Sequence, residues 1–497
     1  MRGSAFATLV AVLVGGCTVG PDYVRPGVTS PDQWRIDYAQ AADVANTKWW
    51  EQFGDPALNQ LIDAALRENR DLLIAAARVD QFIGQLVTTR SQFYPQLSYS
   101  ADASRNRSSR VGQPPLGPGA DPYYTLYQGS LGAAWQIDLF GRIRRQSESA
   151  QAQVYASEQG RRGVVLTLVT SVASTYIGLR ALDRQLEISH ATANNYADTQ
   201  RIFDLRFKGG VVSLVEVAQV DSQYQQALAA IPALEQQIAA QENLISILLG
   251  RNPGPIPRGK TIDELIAPGI PGELPSTLLE RRPDILQAEQ TLVAANANIG
   301  AAKALYFPNL SLTGLLGSVS TAFGDFLTGP ATAWTIAATL SGPIFTFGQI
   351  EGQVQSAEAF ERESVANYQQ VILNAFRETN DALVGTVKKR EESEAQVRRV
   401  AALREFARLS RLRWDGGYAS FLEVLYAENE LFAAELNAVR SQADRYVQIV
   451  NVYKAVGGGW VDEADQLTPQ PLARRETDPA SGADQGESAK AGAAPTK

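Results

Sequence analysis

The chain has 497 residues, of which 45% are hydrophobic and 20% are charged, and its formal net charge is −8. This is the composition of a folded protein, and its acidic balance, without a basic block interleaved with aromatic residues, argues against a nucleic-acid partner. Cys17 and His190 are the only cysteine and histidine, which excludes an intramolecular disulfide, a thiolate metal site and most histidine-based catalytic sites, so we expect neither enzymatic activity nor a metal or other cofactor.

Residues 1–16 are predicted to be a secretory signal peptide. Their apolar run, Ala5–Val14, is too short to span a membrane. The sequence VGGC at residues 14–17 resembles a bacterial lipobox, so we expect Cys17 to become the lipidated first residue. An ordinary signal followed by a buried cysteine is the alternative. Thr18 rather than aspartate follows, which by analogy with sorting in enteric bacteria favours the outer membrane.

The rest of the chain contains an internal repeat. Pro95 in FYPQLS matches Pro308 in YFPNLS at an offset of 213 (308 − 95), and Gly209 matches Gly416 at 207 (416 − 209). The difference indicates a longer loop in the first copy. The polar segment Arg474–Lys497 is expected to be disordered. We divide the mature chain into a lipid-anchored extended segment (17–54), a first repeat (55–250), a proline-rich connector (251–275), a second repeat (276–460) and a disordered tail (461–497).

The first repeat opens with two short helices. Asn46–Gly54 contains two adjacent tryptophans, Trp49 and Trp50, which we interpret as packing residues rather than as a ligand-stacking pair. The helix that follows has apolar residues at helical spacing, and a second helix is predicted over Asp71–Thr89. The apolar positions of the first helix are Leu58, Leu61, Ile62, Ala65 and Leu66.

Each repeat then contains two strands with one apolar face. Apolar and polar residues alternate in Phe93–Ser104 and again in Tyr127–Asp138, on either side of a loop at Arg105–Pro122. The second repeat has the same pattern around Leu310–Leu316 and Trp334–Leu340. Strands of roughly ten residues are long enough to cross a bilayer when tilted. A soluble antiparallel sheet with one solvated face would show the same alternation.

The number of strands restricts how they could span a membrane. Four strands cannot close a barrel, because the smallest membrane barrels have about eight. An open sheet edge in lipid leaves backbone groups unpaired, at a cost of several kcal/mol each. If the strands span the membrane, several copies of the chain must therefore share one barrel.

A long helical hairpin follows each strand pair. Gly141–Lys208 contains no proline and predicts a helix of roughly 65 residues, about 100 Å long at 1.5 Å per residue. Two glycines turn the chain and Ser213–Leu249 runs back, with a break expected at Pro232. The second repeat has the equivalent helices over Gly348–Asp415 and Ser420–Val456. Helices of this length are typical of coiled coils and bundles, which predicts a membrane barrel continued by a helical tube, with a fibrous scaffold as the alternative.

Two further patterns do not predict ligand sites. Gly254–Thr261 (GPIPRGKT) fits the phosphate-loop pattern GxxxxGK[ST], but Pro255 and Pro257 lack the backbone donors that phosphate needs. The preceding residues, Glu242–Leu249, also have the pattern of a helix rather than of the strand that a phosphate loop follows. His190 lies in the middle of a predicted helix and is not expected to bind a metal.

Six short motifs between Cys17 and Trp460 together resemble one family. They are GPDY (20–23), FYPQLS (93–98), DLFGR (138–142), RRPDI (281–285), YFPNLSL (306–312) and YKAVGGGW (453–460). The combination resembles the TolC/OprM-like outer-membrane efflux proteins, in particular their lipoprotein (NodT-like) branch. The resemblance implies a homotrimer with a shared twelve-stranded β-barrel in outer-membrane lipid and a long periplasmic α-helical barrel. It also implies export of drugs or other small toxic compounds, with a periplasmic adaptor protein and an inner-membrane RND-type transporter as partners.

The resemblance also suggests site residues. In such proteins the second turn helps to close the periplasmic mouth, often through an acidic residue just after it. Ala419 occupies that position here, whereas Asp415 lies just before the glycines and becomes the candidate for an acidic constriction, with a solvated carboxylate as the alternative. The turns that would meet the adaptor contain Gly209, Gly210, Gly416 and Gly417. An outer-membrane component of type I protein secretion and a non-pore periplasm-spanning lipoprotein scaffold remain the alternative functions.

Overall fold

The computed structural model describes residues 18–27, 48–110, 117, 119, 121–270, 278–457 and 460–472. The chain divides into two compact units, one comprising Met1–Gly27, Asp80–Ala156 and Ala288–Tyr368 and the other comprising the remaining residues. The predicted signal peptide, Cys17 and Arg474–Lys497 lie outside the described residues.

The helices and strands follow the order predicted from the sequence. They are α1 (Pro56–Glu68), α2 (Arg70–Ser91), β1 (Gln96–Arg107), β2 (Tyr123–Ile137), α3 (Arg142–Lys208) and α4 (Leu214–Leu248), then α5 (Leu278–Arg281), α6 (Pro283–Lys303), β3 (Asn309–Ser320), β4 (Thr332–Ser341), α7 (Gln349–Asp415), α8 (Phe421–Val456) and α9 (Trp460–Asp465). The four predicted strands and the four long helices are therefore confirmed, each within a few residues of its predicted ends.

The long helices contribute buried side chains to the core over part of their length. α3 is long and apolar enough to cross a membrane, but most of its most apolar stretch is buried inside the protein, which is the pattern of a core helix. α4 continues through Pro232, so the predicted break is wrong. The proline costs one helical hydrogen bond, and the helix is held on both sides of it by the buried side chains of Ala227 and Leu234.

The four strands form one antiparallel sheet in the order β1-β2-β3-β4. Gln96 lies opposite Ala134, Leu131 opposite Leu316, and Asn309 opposite Ser341. One face of this sheet carries large apolar side chains that the described residues leave uncovered, with exposed fractions of 82% for Leu97, 85% for Tyr99, 69% for Trp334, 82% for Ile336 and 65% for Leu340. In a soluble single-chain protein such a face would be the core.

The principal core of the other unit contains a group of packed aromatic rings among its aliphatic side chains. Trp49 and Trp50 are 0% and 1% exposed, and their rings lie 6.0 and 5.8 Å from that of Trp460. Trp49 also stacks on Tyr453 at 5.0 Å. The interpretation of the tandem tryptophans as packing residues is therefore confirmed. The predicted apolar positions of α1 are all buried in the same core.

The connector after α4 lacks the features of a phosphate loop. It follows a helix, and two of its backbone N–H groups are already bound to protein groups. Gly259 donates to the Tyr176 hydroxyl at 2.9 Å, and Lys260 donates to the Asp55 carboxylate at 3.0 Å. Asp55 also caps α1 by accepting from the N–H of Ala57 at 2.9 Å. The buried Asp55 carboxylate and the Tyr176 hydroxyl therefore occupy donors that a bound phosphate would need.

The prediction that residues 461–497 form a disordered tail is wrong for the first part of that segment. α9 covers Trp460–Asp465, and the described chain continues to residue 472. Arg161 of α3, which is 2% exposed, donates to the Asp465 carboxylate at 2.8 Å and to the Thr468 hydroxyl at 2.8 Å. The polar composition was misleading because the acidic residue pairs with a buried arginine instead of facing solvent.

Candidate functional site

Both long hairpins end in the same turn. At the end of α3, the N–H of Gly210 donates to the carbonyl of Phe207 at 2.9 Å, and the N–H of Val211 to that of Arg206 at 2.9 Å. The same two bonds close α7 at 2.9 and 2.8 Å, from Gly417 to Trp414 and from Tyr418 to Arg413. This is the Schellman arrangement. Its central glycine has a φ of +71° in Gly210 and +78° in Gly417, a conformation that a side chain would strain.

The helices that follow the two turns begin differently. Before α4, Ser213 and Glu216 form a capping box, in which each side chain accepts from the other residue's N–H, at 2.7 and 3.3 Å. Before α8, Ser420 makes no side-chain cap. Glu423 instead accepts from Arg413 at 2.7 Å. The start of the second returning helix is thus tied to the end of α7 by an ion pair.

An aromatic cluster, formed by Phe203, Trp414 and Phe421, joins the two hairpins near their turns. The Phe203 ring lies 4.2 Å from Phe421 and 6.1 Å from Trp414, and the latter two are 4.9 Å apart. The guanidinium groups of Arg206 and Arg411 lie 4.7 and 5.2 Å from the centre of the Trp414 ring. Trp414 therefore makes aromatic and cation–π contacts with both hairpins.

The sequence analysis missed this cluster, although the repeat contains a signal for it. Trp414 and Phe421 stand at the positions that Phe207 and Leu214 hold in the first hairpin, 207 residues earlier. The second hairpin thus has two larger aromatic residues beside its turn. A residue-by-residue comparison of the two turns would have identified both positions.

Asp415, the candidate constriction residue, is the last residue of α7 and is exposed. Its carboxylate forms no hydrogen bond or ion pair with another described residue. Lys208 is the last residue of α3 and is also exposed. The two turns therefore carry opposite charges at the same position before their glycines. Ala419, after the second turn, is half-buried and has no charge.

A half-buried acidic residue lies farther along α8. Glu428 faces Arg411 at 3.8 Å and lines a cavity of about 930 Å³ among α3, α7 and α8. Burial raises the pKa of the Glu428 carboxyl above its ordinary value, and the positive charge of Arg411 opposes that shift. The hydroxyl of Tyr196, which lines the same cavity, has no hydrogen-bond partner among the described residues.

The described segment at residues 18–27 is fastened by polar contacts within its own unit. The carboxylate of Asp22 pairs with Arg145 at 2.7 Å, and the hydroxyl of Tyr23 donates to Glu289 at 3.2 Å. Asp22 and Tyr23 belong to the GPDY motif, so the motif's polar residues hold the chain directly after the predicted lipid anchor.

No cluster of three or more histidine, cysteine, aspartate or glutamate side chains in the described parts of the chain is placed to hold a metal ion. His190 lies on α3 and is exposed.

Comparison with known proteins assigns the chain to a family. The outer membrane efflux protein family matches residues 61–251 and 274–458. The chain is 33% identical over 471 residues to a probable efflux pump outer membrane protein, TtgC, of Pseudomonas putida, which covers 93% of this chain and 96% of that protein. It is 31% identical over 458 residues to SilC of Salmonella typhimurium, a probable outer membrane lipoprotein, covering 91% and 98%.

Solved structures agree with the sequence comparison. The open state of the Neisseria gonorrhoeae outer membrane channel MtrE matches with a TM-score of 0.81 and 28% identity, over 89% of this chain and 99% of that one. The expected outer-membrane location and the family resemblance are thereby confirmed, and the relatives are channel and efflux proteins rather than enzymes. The chain belongs to the outer membrane efflux protein family.

Proposed function

We propose that three copies of this chain form the exit duct of a tripartite efflux pump. Drugs or other small toxic compounds would pass from an inner-membrane RND-type transporter and a periplasmic adaptor protein through the duct to the exterior. The observation that carries this proposal is the uncovered apolar face of the four-stranded sheet, because such a face is stable in lipid and not in water.

The sheet also supports a shared barrel. β1 and β4 are its edges, and an edge in lipid leaves backbone groups unpaired at several kcal/mol each. Three copies would supply twelve strands, more than the roughly eight of the smallest membrane barrels. The other face of the sheet carries polar side chains such as Ser100, Gln128 and Thr339, which suits a water-filled lumen.

We further propose that the chain arose by tandem duplication. Gln96 lies opposite Ala134 in the first strand pair, and Asn309 lies opposite Ser341 in the second. Asn309 lies 213 residues after Gln96 (309 − 96), and Ser341 lies 207 residues after Ala134 (341 − 134). These differences are the offsets of the sequence repeat. The two strand pairs therefore have the same register. Three copies would act as six similar units around one barrel and its helical continuation.

The turns are the proposed periplasmic mouth. Asp415 is the candidate constriction, because it is exposed, has no partner among the described residues of its own chain and would be repeated three times in a homotrimer, where like charges repel. Cys17 would anchor each chain in outer-membrane lipid through its acyl groups. The proposed contacts for the adaptor hairpins lie at Gly209, Gly210, Gly416 and Gly417.

The first experiment is the mass of the detergent-solubilised protein, with bound detergent subtracted, followed by conductance of the same material in a planar bilayer. We expect a trimer that conducts. A folded monomer would refute the shared barrel, and a trimer that fails to conduct, even as Asp415→Ala, would favour the scaffold function. In cells lacking the chain, lost secretion of a polypeptide with unchanged export of small compounds would favour type I secretion.

A further inference from the structure

We infer that β4 of one copy pairs with β1 of the next copy in a single register, with Ala338 opposite Ala103, and that Phe347 packs on Tyr94 of that next copy. The inference rests on the proposed homotrimer, and it identifies the surfaces and residues through which the copies meet.

The register follows from a strand pair inside the chain. β2 and β3 join the first repeat to the second, and in a closed ring β4 would join the second repeat to the first repeat of the next copy. Leu131 of β2 lies opposite Leu316 of β3. By the repeat offsets, the position equivalent to Leu131 is Ala338 (131 + 207), and the position equivalent to Leu316 is Ala103 (316 − 213). Ala338 should therefore face Ala103 across the boundary between copies.

The side chains that this register brings together are compatible. Ser341 comes to lie opposite Ser100, whose hydroxyl already lies 2.9 Å from that of Ser130 on its other side. Gly342 comes opposite Tyr99, where a residue without a side chain leaves room for the exposed ring. On the apolar face, Ala338, Leu340 and Ile344 come opposite Ala103, Ala101 and Leu97, whereas Ile336 and Trp334 come opposite Arg105 and Arg107 at the other end of the strand. A shift of one residue would place the polar face of one strand beside the apolar face of the other.

The end of β4 supports the presence of a further strand at this edge. The pairing of β2 with β1 ends at Ala134. β2 continues past that residue to Ile137, which pairs with Leu310 of β3. β4 stops at Ser341, the equivalent of Ala134, because that is where its pairing with β3 ends. The equivalent of Ile137 is Ile344, and its side chain is 103% exposed. The residues after Ser341 are thus those that only a further strand would pair.

A strained aromatic residue lies next to this edge. After β2, Phe140 stacks on Phe307 at 4.7 Å. The repeat offsets convert this pair into Phe347 (140 + 207) and Tyr94 (307 − 213), which are 88% and 69% exposed. Phe347 has a φ of +49°, the sole positive value of a non-glycine residue in the described chain, whereas Phe140 avoids that region. The strain thus lies where the stacking partner is missing, and we expect contact with the next copy to bring Phe347 to the conformation of Phe140.

Engineered disulfides test the register in the full-length protein. Residues directly opposite each other in an antiparallel pair have Cα atoms about 4.5–5.5 Å apart, within disulfide range, whereas neighbours two positions away lie at about 7–8 Å. Ala338→Cys combined with Ala103→Cys should form linked oligomers on mild oxidation. Ala338→Cys combined with Ala101→Cys or Arg105→Cys should give several-fold less, and each single variant controls for links through Cys17.

The outcomes separate this inference from the homotrimer itself. A trimer that cross-links best through a shifted pair, or through none of the three pairs, would overturn the register and leave the shared barrel in place. A protein that is monomeric by mass would remove the homotrimer and this inference together.

The aromatic contact is tested by the temperature at which the trimer dissociates. Phe347→Ala and Tyr94→Ala should each lower this temperature, and the double variant should lower it by less than the sum. Phe345→Ala is the matched control, since its ring centre lies 4.2 Å from that of Phe347 and its side chain is 72% exposed, but the register places it opposite Gln96 rather than opposite an aromatic residue of the next copy. An equal loss for Phe345→Ala would overturn the contact.

Discussion

The replacement Trp414→Leu should uncouple the two hairpins near their turns. It removes two cation–π contacts, about 0.5–1 kcal/mol each, and the ring contacts with Phe203 and Phe421, about 0.5–1.5 kcal/mol each. Because contacts within one cluster are not additive, we expect a total loss of about 2–4 kcal/mol. Every 1.4 kcal/mol corresponds to a tenfold change in an equilibrium constant. If amide exchange at the turns occurs through local opening, we therefore expect it to become roughly 30- to 1000-fold faster.

Hydrogen exchange followed by mass spectrometry on the purified protein measures this effect separately in each hairpin. The matched control is Phe406→Leu, which removes a ring contact with Tyr426 at 6.3 Å inside the second hairpin. Trp414→Leu should accelerate exchange on both sides, around residues 203–222 and 410–425, and Phe406→Leu on the second side only. Unchanged exchange of residues 203–222 in Trp414→Leu would refute the conclusion that the aromatic cluster couples the hairpins.

Three further predictions follow from individual residues. Asp415→Ala should raise the conductance of the purified channel more than Lys208→Ala does at the equivalent position, and equal conductances would move the constriction elsewhere. Glu428→Gln should raise the thermal stability at pH 8, because burial raises the pKa of this carboxyl, so its ionisation destabilises the fold as pH increases. The gain should vanish below the ordinary value of 4.5, and a gain independent of pH would exclude ionisation as its cause. Arg161→Ala should cost about 3–5 kcal/mol in denaturant unfolding because it leaves a buried carboxylate unpaired, whereas Arg162→Ala, which breaks a more exposed pair with Asp462 at 3.3 Å, should cost about 1 kcal/mol or less.

Features that depend on residues close together in the sequence could be predicted. Helical spacing without proline predicted α3 to within a residue of its observed start at Arg142, and the change to a period of 2 located all four strands. Glycine pairs located both turns, because a left-handed backbone excludes most other residues there. These signals act over a few neighbouring residues, so one sequence is enough to interpret them.

Features that depend on distant partners were not predictable. The composition of residues 461–472 resembles that of a disordered segment, and nothing near Asp465 shows that Arg161, some 300 residues earlier, is buried against it. The aromatic cluster likewise requires Phe203 and Phe421 to meet across two hairpins. The register between β2 and β3 could not be derived from the repeat offsets, because these relate equivalent strands and do not pair adjacent ones.

The differences between the two turns indicate where closure of the duct would be controlled. Arg206 and Arg413 occupy equivalent positions, 207 residues apart, yet both contact the second hairpin. Arg206 covers the ring of Trp414, and Arg413 pairs with Glu423, which leaves α8 without the capping box that Ser213 and Glu216 give to α4. Equivalent turns that opened alike would not need this asymmetry. The second turn is therefore held by the contacts of Arg206 with Trp414 and of Arg413 with Glu423. We expect that loss of these contacts, rather than a change in the first turn, opens the proposed mouth.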